Sequence, residues 1–160
     1  MNIIFLDIDG PLIPLRMYYR SDRMFDRNAG SFVYDPIAVD MINVLCDKFQ
    51  AKVVFNSSHG ENPQDIMRYQ GTFNKLLYLH DDCATIFPKC ERRFDAIGEW
   101  FTRNPITNPD DSWIVIDDIE VFLPRQVLVD LRIGLTMDNF YRACELFGEP
   151  MQQVVYVGHR

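Results

Sequence analysis

Short apolar runs that alternate with segments of helical periodicity are the feature that most constrains how this chain folds. Three runs, Asn2–Leu6, Lys52–Phe55 and Trp113–Ile116, are apolar enough to form strands that are buried on both faces. A fourth run, Gln153–Val157, predicts an edge strand. Because strands that alternate with helices are typical of parallel sheets, the sequence predicts an α/β fold, a Rossmann-like three-layer sandwich with a mainly parallel sheet.

Three segments predict the helices that cover this sheet. The first begins at Asp35-Pro36, an N-cap followed by proline at the first helical position. The second spans Phe94–Phe101 and places its apolar residues on one face. Thr136 caps the third, and Gly148 lies where a C-terminal stop is expected. Sheets of this kind bind ligands at the carboxyl ends of their strands, so we expect the functional residues there.

The composition is that of one compact domain. With 160 residues, of which 48% are hydrophobic, the chain can bury a core without disulfides, and we expect a single domain over residues 1–160. No run approaches the ~20 apolar residues that span a bilayer. The N-terminus carries two acids and no basic start, unlike a signal peptide, so we expect a cytoplasmic protein. A net charge of −7 argues against a large nucleic-acid footprint, which needs a basic face.

The four cysteines form no CxxC pair. We therefore expect reduced cysteines that are mostly buried in the packing of the domain. A metal site formed by His80, Cys83 and Cys90 is the alternative, although these three residues do not have a tight metal-ligand spacing.

Polar residues follow each of the three buried strands. They are Asp7 and Asp9 after the first, Asn56, Ser57 and Ser58 after the second, and Asp117 and Asp118 after the third. Four carboxylates at one sheet edge repel one another unless a cation neutralises them. Hard oxygen ligands with few histidines nearby suit Mg²⁺, so the sequence predicts a magnesium site made by the four aspartates. The alternative is that these acids are helix caps or loop residues.

The segment between residues 11 and 34 carries a local excess of cations. It contains Arg16, Arg20, Arg23 and Arg27 against Asp22 and Asp26, with Tyr18 and Tyr19 among them. One interpretation is a solvated loop with a few packed aromatic residues. The other is a flap that faces the substrate and attracts anions, in which Arg16 and Arg20 bind substrate.

Several motifs together resemble the haloacid dehalogenase (HAD) superfamily. The segment Phe5–Leu12 is similar to its first motif, in which apolar residues precede D-x-D-G, and Asp117-Asp118 is similar to its acidic fourth motif. Ser57 resembles the second motif, a Ser or Thr at a strand end. The third, basic motif is matched by residues before the helix that contains Trp100. The W-I-V-I-D-D strand and the stretch Ile133–Thr136 further resemble the uncapped HAD domains of Swiss army knife RNA repair proteins.

The resemblance implies a phosphatase that forms an aspartyl-phosphate on Asp7, with Asp9 as general acid and base. It implies Mg²⁺ held by Asp7, by the backbone carbonyl of Asp9 and by Asp117 or Asp118.

For the phosphate contact, Ser57 competes with Asn56, because His59 stands where that branch has a tryptophan. For the third-motif cation we favour Arg93, next to the helix start, over Lys89 and Arg92. Ser58 lies beside the same site.

The spacing of the motifs also bears on the substrate. About two dozen residues separate Leu12 from Asp35, and about thirty separate Ser58 from Lys89, too few for a cap domain. We therefore expect an open site with a minimal cap or none. Such a site suits a phosphate on a macromolecule, either a nucleic-acid end or a phosphoprotein, or a small substrate closed in by a partner subunit. A catalytically inactive binding module and a phosphotransferase are the remaining alternatives.

Overall fold

The computed structural model describes residues 1–18, 25–26, 31–32, 34–58, 76–85, 92–105, 112–120 and 124–148. The strands are β1 (Asn2–Leu6), β2 (Phe25–Asp26), β3 (Ser31–Phe32), β4 (Ala51–Phe55), β5 (Leu79–Ala84), β6 (Trp113–Asp117) and β7 (Gln126–Leu128). The helices are α1 (Leu15–Tyr18), α2 (Pro36–Phe49), α3 (Arg93–Arg103) and α4 (Met137–Leu146).

Five of the strands form one parallel sheet in the order β5-β4-β1-β6-β7. Strand β1 lies in the middle, and the chain leaves it first towards β4 on one side and later towards β6 on the other. The order of the strands therefore reverses beside β1, which is where parallel α/β sheets form their ligand crevice. The predicted α/β fold with a parallel sheet is confirmed.

Each face of the sheet carries its own hydrophobic core. Ile4 and Leu6 of β1 belong to the larger core, which also contains buried residues of α2 and α4. Ile3 and Phe5 point the opposite way, into a smaller core with Trp100 of α3. This alternation follows from the pleat of a strand that is buried on both faces. Helices thus cover both faces, as the three-layer prediction requires.

The helix ends follow the local sequence signals. The Asp35 side chain accepts a hydrogen bond from the Ile37 amide at 3.0 Å and caps α2, with Pro36 at its first position. Thr136 caps α4, and its hydroxyl accepts from the Asn139 amide at 3.3 Å. Gly148 follows α4 with a φ of 99°. The predicted starts of these two helices, and the stop after the second, are confirmed.

Two sheet strands, β5 and β7, were not predicted from the sequence. The expectation that Phe94 joins the buried face of α3 was wrong, because Phe94 is 50% exposed while Trp100 is buried. The expected edge strand Gln153–Val157 lies outside the described residues. Within the described part of the chain, none of the helices is both long and apolar enough to cross a membrane.

Candidate active site

Asp7 directly follows the central strand β1 and is buried, with 1% of its surface exposed. Its amide donates to the Ile116 carbonyl at 2.9 Å, which continues the pairing of β1 with β6. One carboxylate oxygen, Oδ1, accepts from the Ile8 amide at 2.8 Å. The side chain is therefore held in one orientation at the carboxyl end of the sheet.

A tight turn follows Asp7 and depends on glycine. Gly10 has a φ of +82°, and a Cβ atom there would lie 2.8 Å from the Cβ of Asp118. The Leu12 and Ile13 amides both donate to the Ile8 carbonyl, at 3.1 and 3.0 Å. Because residue 10 has no side chain, Asp118 can approach the turn closely and lie beside Asp7.

Three aspartates form what we call the acid centre: Asp7, Asp117 and Asp118. One carboxylate oxygen from each lies within 4.8 Å of the others. Asp117 is fully buried, and its Oδ1 accepts from the Ile119 amide at 2.8 Å. Hard oxygen donors at this separation fit Mg²⁺. No other group of three or more potential metal ligands occurs in the described residues.

Asp9 lies at the same cleft but is partly exposed, and its side chain is not part of the acid centre. The expected contribution of its backbone carbonyl to a metal site stays a prediction. So does its role as general acid and base.

Arg93, the first residue of α3, neutralises part of the acid centre. Its Nη1 lies 2.5 Å from Asp7 Oδ2 and 2.6 Å from Asp117 Oδ2. It also lies 3.4 Å from the Asn56 carbonyl. The neighbouring Arg92 is exposed. Arg93, the favoured third-motif cation, thus contacts two members of the acid centre, and its role in binding phosphate stays a prediction. The rival Lys89 lies outside the described residues.

Burial and mutual repulsion perturb the charges of the acid centre. Burial, reinforced by the charge of Asp7, raises the pKa of Asp117 to about 7. Burial and Asp7 likewise raise the pKa of the half-buried Asp118 to about 6. Burial lowers the pKa of Arg93, but the negative charges of Asp7 and Asp117 have the larger combined effect and raise that pKa. One guanidinium therefore does not balance three carboxylates.

The end of β4 supplies buried amide and hydroxyl groups. Asn56 is fully buried, and its Oδ1 accepts from the Thr85 hydroxyl at 2.9 Å. Its Nδ2 is buried without a hydrogen-bond partner among the described residues. Ser57 is buried as well, whereas Ser58 is exposed. Sequence reasoning missed Thr85, because it follows a strand, β5, that has no continuous apolar run.

The arginines of the 11–34 segment are only partly described. Arg16 forms an ion pair with Asp35, the residue that caps α2, and its side chain stays 48% exposed. This pairing was not anticipated, and it gives Arg16 a structural contact besides the predicted contact with substrate. Arg20 lies outside the described residues.

Two members of the alternative metal site of His80, Cys83 and Cys90 lie among the described residues, namely His80 and Cys83. The His80 ring packs edge-on against Trp100 at 5.0 Å between centroids, and its Nδ1 accepts from the Asp82 amide at 3.0 Å. Cys83 is half-buried, and Cys90 lies outside the described residues. The contacts of His80 are those of a packed histidine.

A cleft of about 330 Å³ opens above the acid centre. Its polar lining consists of Asp7, Asp9, Asp118 and Arg93. Its apolar lining, which we call the apolar rim, consists of Ile13, Leu15, Ile119 and Leu131. Most predicted site residues at the ends of β1 and β6 therefore meet in one cavity, whereas the apolar rim was not foreseen.

The family described as the HAD domain in Swiss Army Knife RNA repair proteins matches residues 3–140, a span that includes every strand of the sheet except the first residue of β1. No curated protein and no solved structure matches the chain.

Proposed function

Because the chain belongs to the family of HAD domains found in Swiss Army Knife RNA repair proteins, we propose that it is a magnesium-dependent phosphatase. It hydrolyses phosphomonoesters through an aspartyl-phosphate on Asp7. The observation that carries this proposal is the acid centre at the end of the central strand, with Arg93 bonded to two of its members.

In the first step, a carboxylate oxygen of Asp7 attacks phosphorus and the bond from phosphorus to the ester oxygen breaks. Asp9 gives its proton to the departing oxygen. In the second step, water attacks the phosphorus of the aspartyl-phosphate, Asp9 takes a proton from it, and phosphate and free Asp7 result. The fixed orientation of Asp7, through the Ile8 amide, supports its role as nucleophile.

The carboxylate oxygens of the acid centre are hard donors that fit a hard divalent cation. Because these carboxylates are buried and repel one another, a bound cation would stabilise them. Asp7, the Asp9 carbonyl and Asp117 or Asp118 would hold Mg²⁺. The charge that a bound Mg²⁺ supplies offsets the repulsion between the Asp7 carboxylate and the phosphoryl oxygens. Arg93 neutralises only part of the negative charge of the acid centre, which supports a role for the further positive charge of Mg²⁺.

Positively charged and neutral donors share the binding of the phosphoryl group. Arg93 stabilises negative charge on the equatorial oxygens, since its guanidinium already lies between Asp7 and Asp117. Ser57 or the Asn56 amide donates to a phosphoryl oxygen, with Ser58 next to them in the chain. Lys89 is the alternative to Arg93 as the cation that binds phosphate. The buried Asn56 Nδ2, which has no partner among the described residues, supports Asn56 as a donor.

We infer that the substrate phosphate is displayed on a macromolecule, a phosphoprotein or a nucleic-acid end. Arg16 and Arg20 would then contact the substrate outside the cleft. Nearly half of the Arg16 side chain is exposed, which supports this contact. Its partner Asp35 lowers the net charge it offers, so we expect a modest contribution.

Hydrolysis of a generic aryl phosphate tests the proposed function. Turnover should disappear in excess chelator and return when Mg²⁺ is added in excess over the chelator. Full activity in chelator would refute the metal assignment. If the chain binds phosphate analogues but shows no turnover on aryl, peptide or oligonucleotide phosphates, it is a binding module rather than a phosphatase.

A further inference from the structure

The apolar rim leaves large hydrophobic side chains exposed beside the reaction centre. Ile119 is 51% exposed and Leu131 is 37% exposed, and both line the cleft that contains Asp7. Single exposed apolar residues are common on protein surfaces and need no explanation. Here Ile119 and Leu131 face one cavity together with Ile13 and Leu15, which come from a distant part of the sequence. The same cavity also holds Asp7, the proposed nucleophile.

The rim is fixed by backbone contacts. The Leu15 amide donates to the Leu131 carbonyl at 2.9 Å, and the Arg16 amide donates to the Arg132 carbonyl at 3.3 Å. Gly134 has a φ of +83°, and a Cβ there would lie 2.8 Å from Pro14 Cγ. These contacts hold the turn that carries Leu131 against the segment that carries Leu15. The apolar surface is therefore ready before any substrate arrives.

The charges in the cleft disfavour a substrate whose leaving group is itself negatively charged. Among the described lining residues, Arg93 is the one cation, and it is bonded to Asp7 and Asp117. Asp9 and Asp118 are also in the lining, as acids. A bound Mg²⁺ would offset the charge of the acid centre, so a second phosphate or a carboxylate next to the reacting phosphate would meet Asp9 and apolar walls without a further cation to pair with it among the described lining residues.

We propose that the apolar rim binds the leaving group of the substrate, and that this group is an uncharged, apolar moiety attached directly to the phosphate. This inference rests on the proposed function. It favours a phosphate carried by an aromatic or aliphatic group over the terminal phosphate of a nucleic-acid strand. The cleft volume of about 330 Å³ is at the small end of ligand pockets, which hold ~300–1,000 Å³, and suits a phosphoryl group with one ring.

Binding of non-hydrolysable phosphonates tests the proposal without relying on turnover. Benzylphosphonate, methylphosphonate and phosphonoacetate are titrated by calorimetry into the Mg²⁺-loaded protein. We expect benzylphosphonate to bind about tenfold more tightly than methylphosphonate, because its ring covers rim side chains. Phosphonoacetate, which adds a carboxylate, should bind more weakly than methylphosphonate.

Matched variants locate the effect at the rim. Leu131→Ala and Ile119→Ala should each reduce the preference for benzylphosphonate about threefold and leave methylphosphonate binding unchanged. Ile133→Ala and Ile37→Ala are the controls, since both residues are similarly exposed (51% and 59%) but do not line the cleft. Because all four side chains are exposed, none of these changes should unfold the protein.

Each outcome bears on the rim or on the proposed function separately. Equal binding of the benzyl and methyl compounds, or binding of neither, would overturn the rim proposal, and so would tighter binding of phosphonoacetate. A phosphatase active on phosphorylated oligonucleotides but not on aryl or phosphotyrosyl substrates would overturn it as well. A benzyl preference in a protein without any turnover would keep the rim proposal and reject the phosphatase.

Discussion

The acid centre and the apolar rim reverse the usual distribution of side chains between the inside and the outside of a protein. Asp7 and Asp117 are almost completely buried, whereas Ile119 and Leu131 of the rim are substantially exposed. Carboxylates are among the residues least often found fully buried, because removing their charge from water is costly. Both departures occur in one cleft, so the cost to stability is concentrated where substrate and metal would bind.

The two regions differ in what would compensate that cost. The acid centre already has an internal cation in Arg93, and a bound Mg²⁺ would supply the rest. The exposed rim residues Ile119 and Leu131 have no such substitute among the described residues, and a ligand would be needed to cover them. The comparison indicates that changes in the acid centre alter activity and, where they remove its internal cation, stability as well, whereas changes in the rim alter substrate choice.

Asp7→Asn should have the largest effect on activity and a small effect on stability. Removing a nucleophile costs at least about a thousandfold in turnover. Because the variant also removes one of three repelling charges, its free energy of unfolding should fall by no more than ~1 kcal/mol. Steady-state kinetics and urea denaturation measure the two quantities.

Asp40→Asn is the matched control for this variant, since Asp40 is an exposed aspartate of α2 away from the cleft. It should change neither quantity. Near-normal turnover of Asp7→Asn would show that the acid centre is not the reaction centre, and the comparison with the rim would lose its basis.

The acid centre could be predicted from the sequence because its members directly follow strands with clear apolar runs. Asp7 follows β1, Asp117 is the last residue of β6 and Asp118 follows it, and neighbouring parallel strands bring their carboxyl ends together. Arg93 could be preferred over Arg92 because it lies closest to the predicted helix start. In each case, local sequence and the geometry of a parallel sheet were sufficient.

The apolar rim and the outer strands could not be predicted in this way. Strand β5 has the sequence LHDDCA, in which an edge position allows polar residues, and β7 has only three residues. Leu131 joins Leu15 through a tertiary backbone contact between turns that carry no periodic signal. The exposure of Ile119 likewise depends on how these segments pack.

Arg93→Gln should have the next largest effect, because it removes the internal cation of the acid centre. Breaking a buried ion pair leaves an uncompensated charge and costs ~3–5 kcal/mol, somewhat less here because the Arg93 side chain is 18% exposed. We expect a lower melting temperature in chelator, a larger upward shift on adding Mg²⁺ than in the wild type, and a loss of turnover of about a hundredfold.

Two variants sharpen this prediction. Arg92→Gln, at the exposed neighbouring position, should behave as the wild type. Arg93→Lys keeps a positive charge and should recover most of the stability. If Arg93→Gln melts as the wild type does in chelator, Arg93 does not neutralise the acid centre.

Gly10→Ala should destabilise the protein by separating the turn after Asp7 from Asp118. The new Cβ would lie 2.8 Å from the Asp118 Cβ at a φ of +82°, and we expect a cost of about 2–4 kcal/mol. Gly148→Ala is the control: its φ is +99°, but nothing lies within 4 Å of the new Cβ. It should cost only about 1 kcal/mol from backbone strain. Equal losses in urea denaturation would mean that the close approach to Asp118 is not important.

The smallest effect concerns the pH dependence of stability in chelator. In the folded protein, burial and the charge of Asp7 raise the pKa of Asp117 to about 7 and the pKa of Asp118 to about 6, from the ordinary value of 3.8. Between the ordinary and the raised values, the folded state therefore binds more protons at these groups than the unfolded state does. Their contribution to stability is present at low pH and is lost as the pH rises from about 4 to about 7.

Asp118→Asn isolates this contribution from the other carboxylates of the chain. The difference between the unfolding free energies of the wild type and of this variant should become less favourable to the wild type as the pH rises from about 4 to about 6, the range between the ordinary and the raised pKa of Asp118. Asp40→Asn, measured in the same way, is the control for a carboxylate outside the acid centre. Excess Mg²⁺ should abolish the trend, because a cation bound at the acid centre favours the charged carboxylates. A difference that does not change with pH in chelator would mean that the acid centre is hydrated and does not bear the cost assigned to its burial, so that only the apolar rim would depart from the usual distribution.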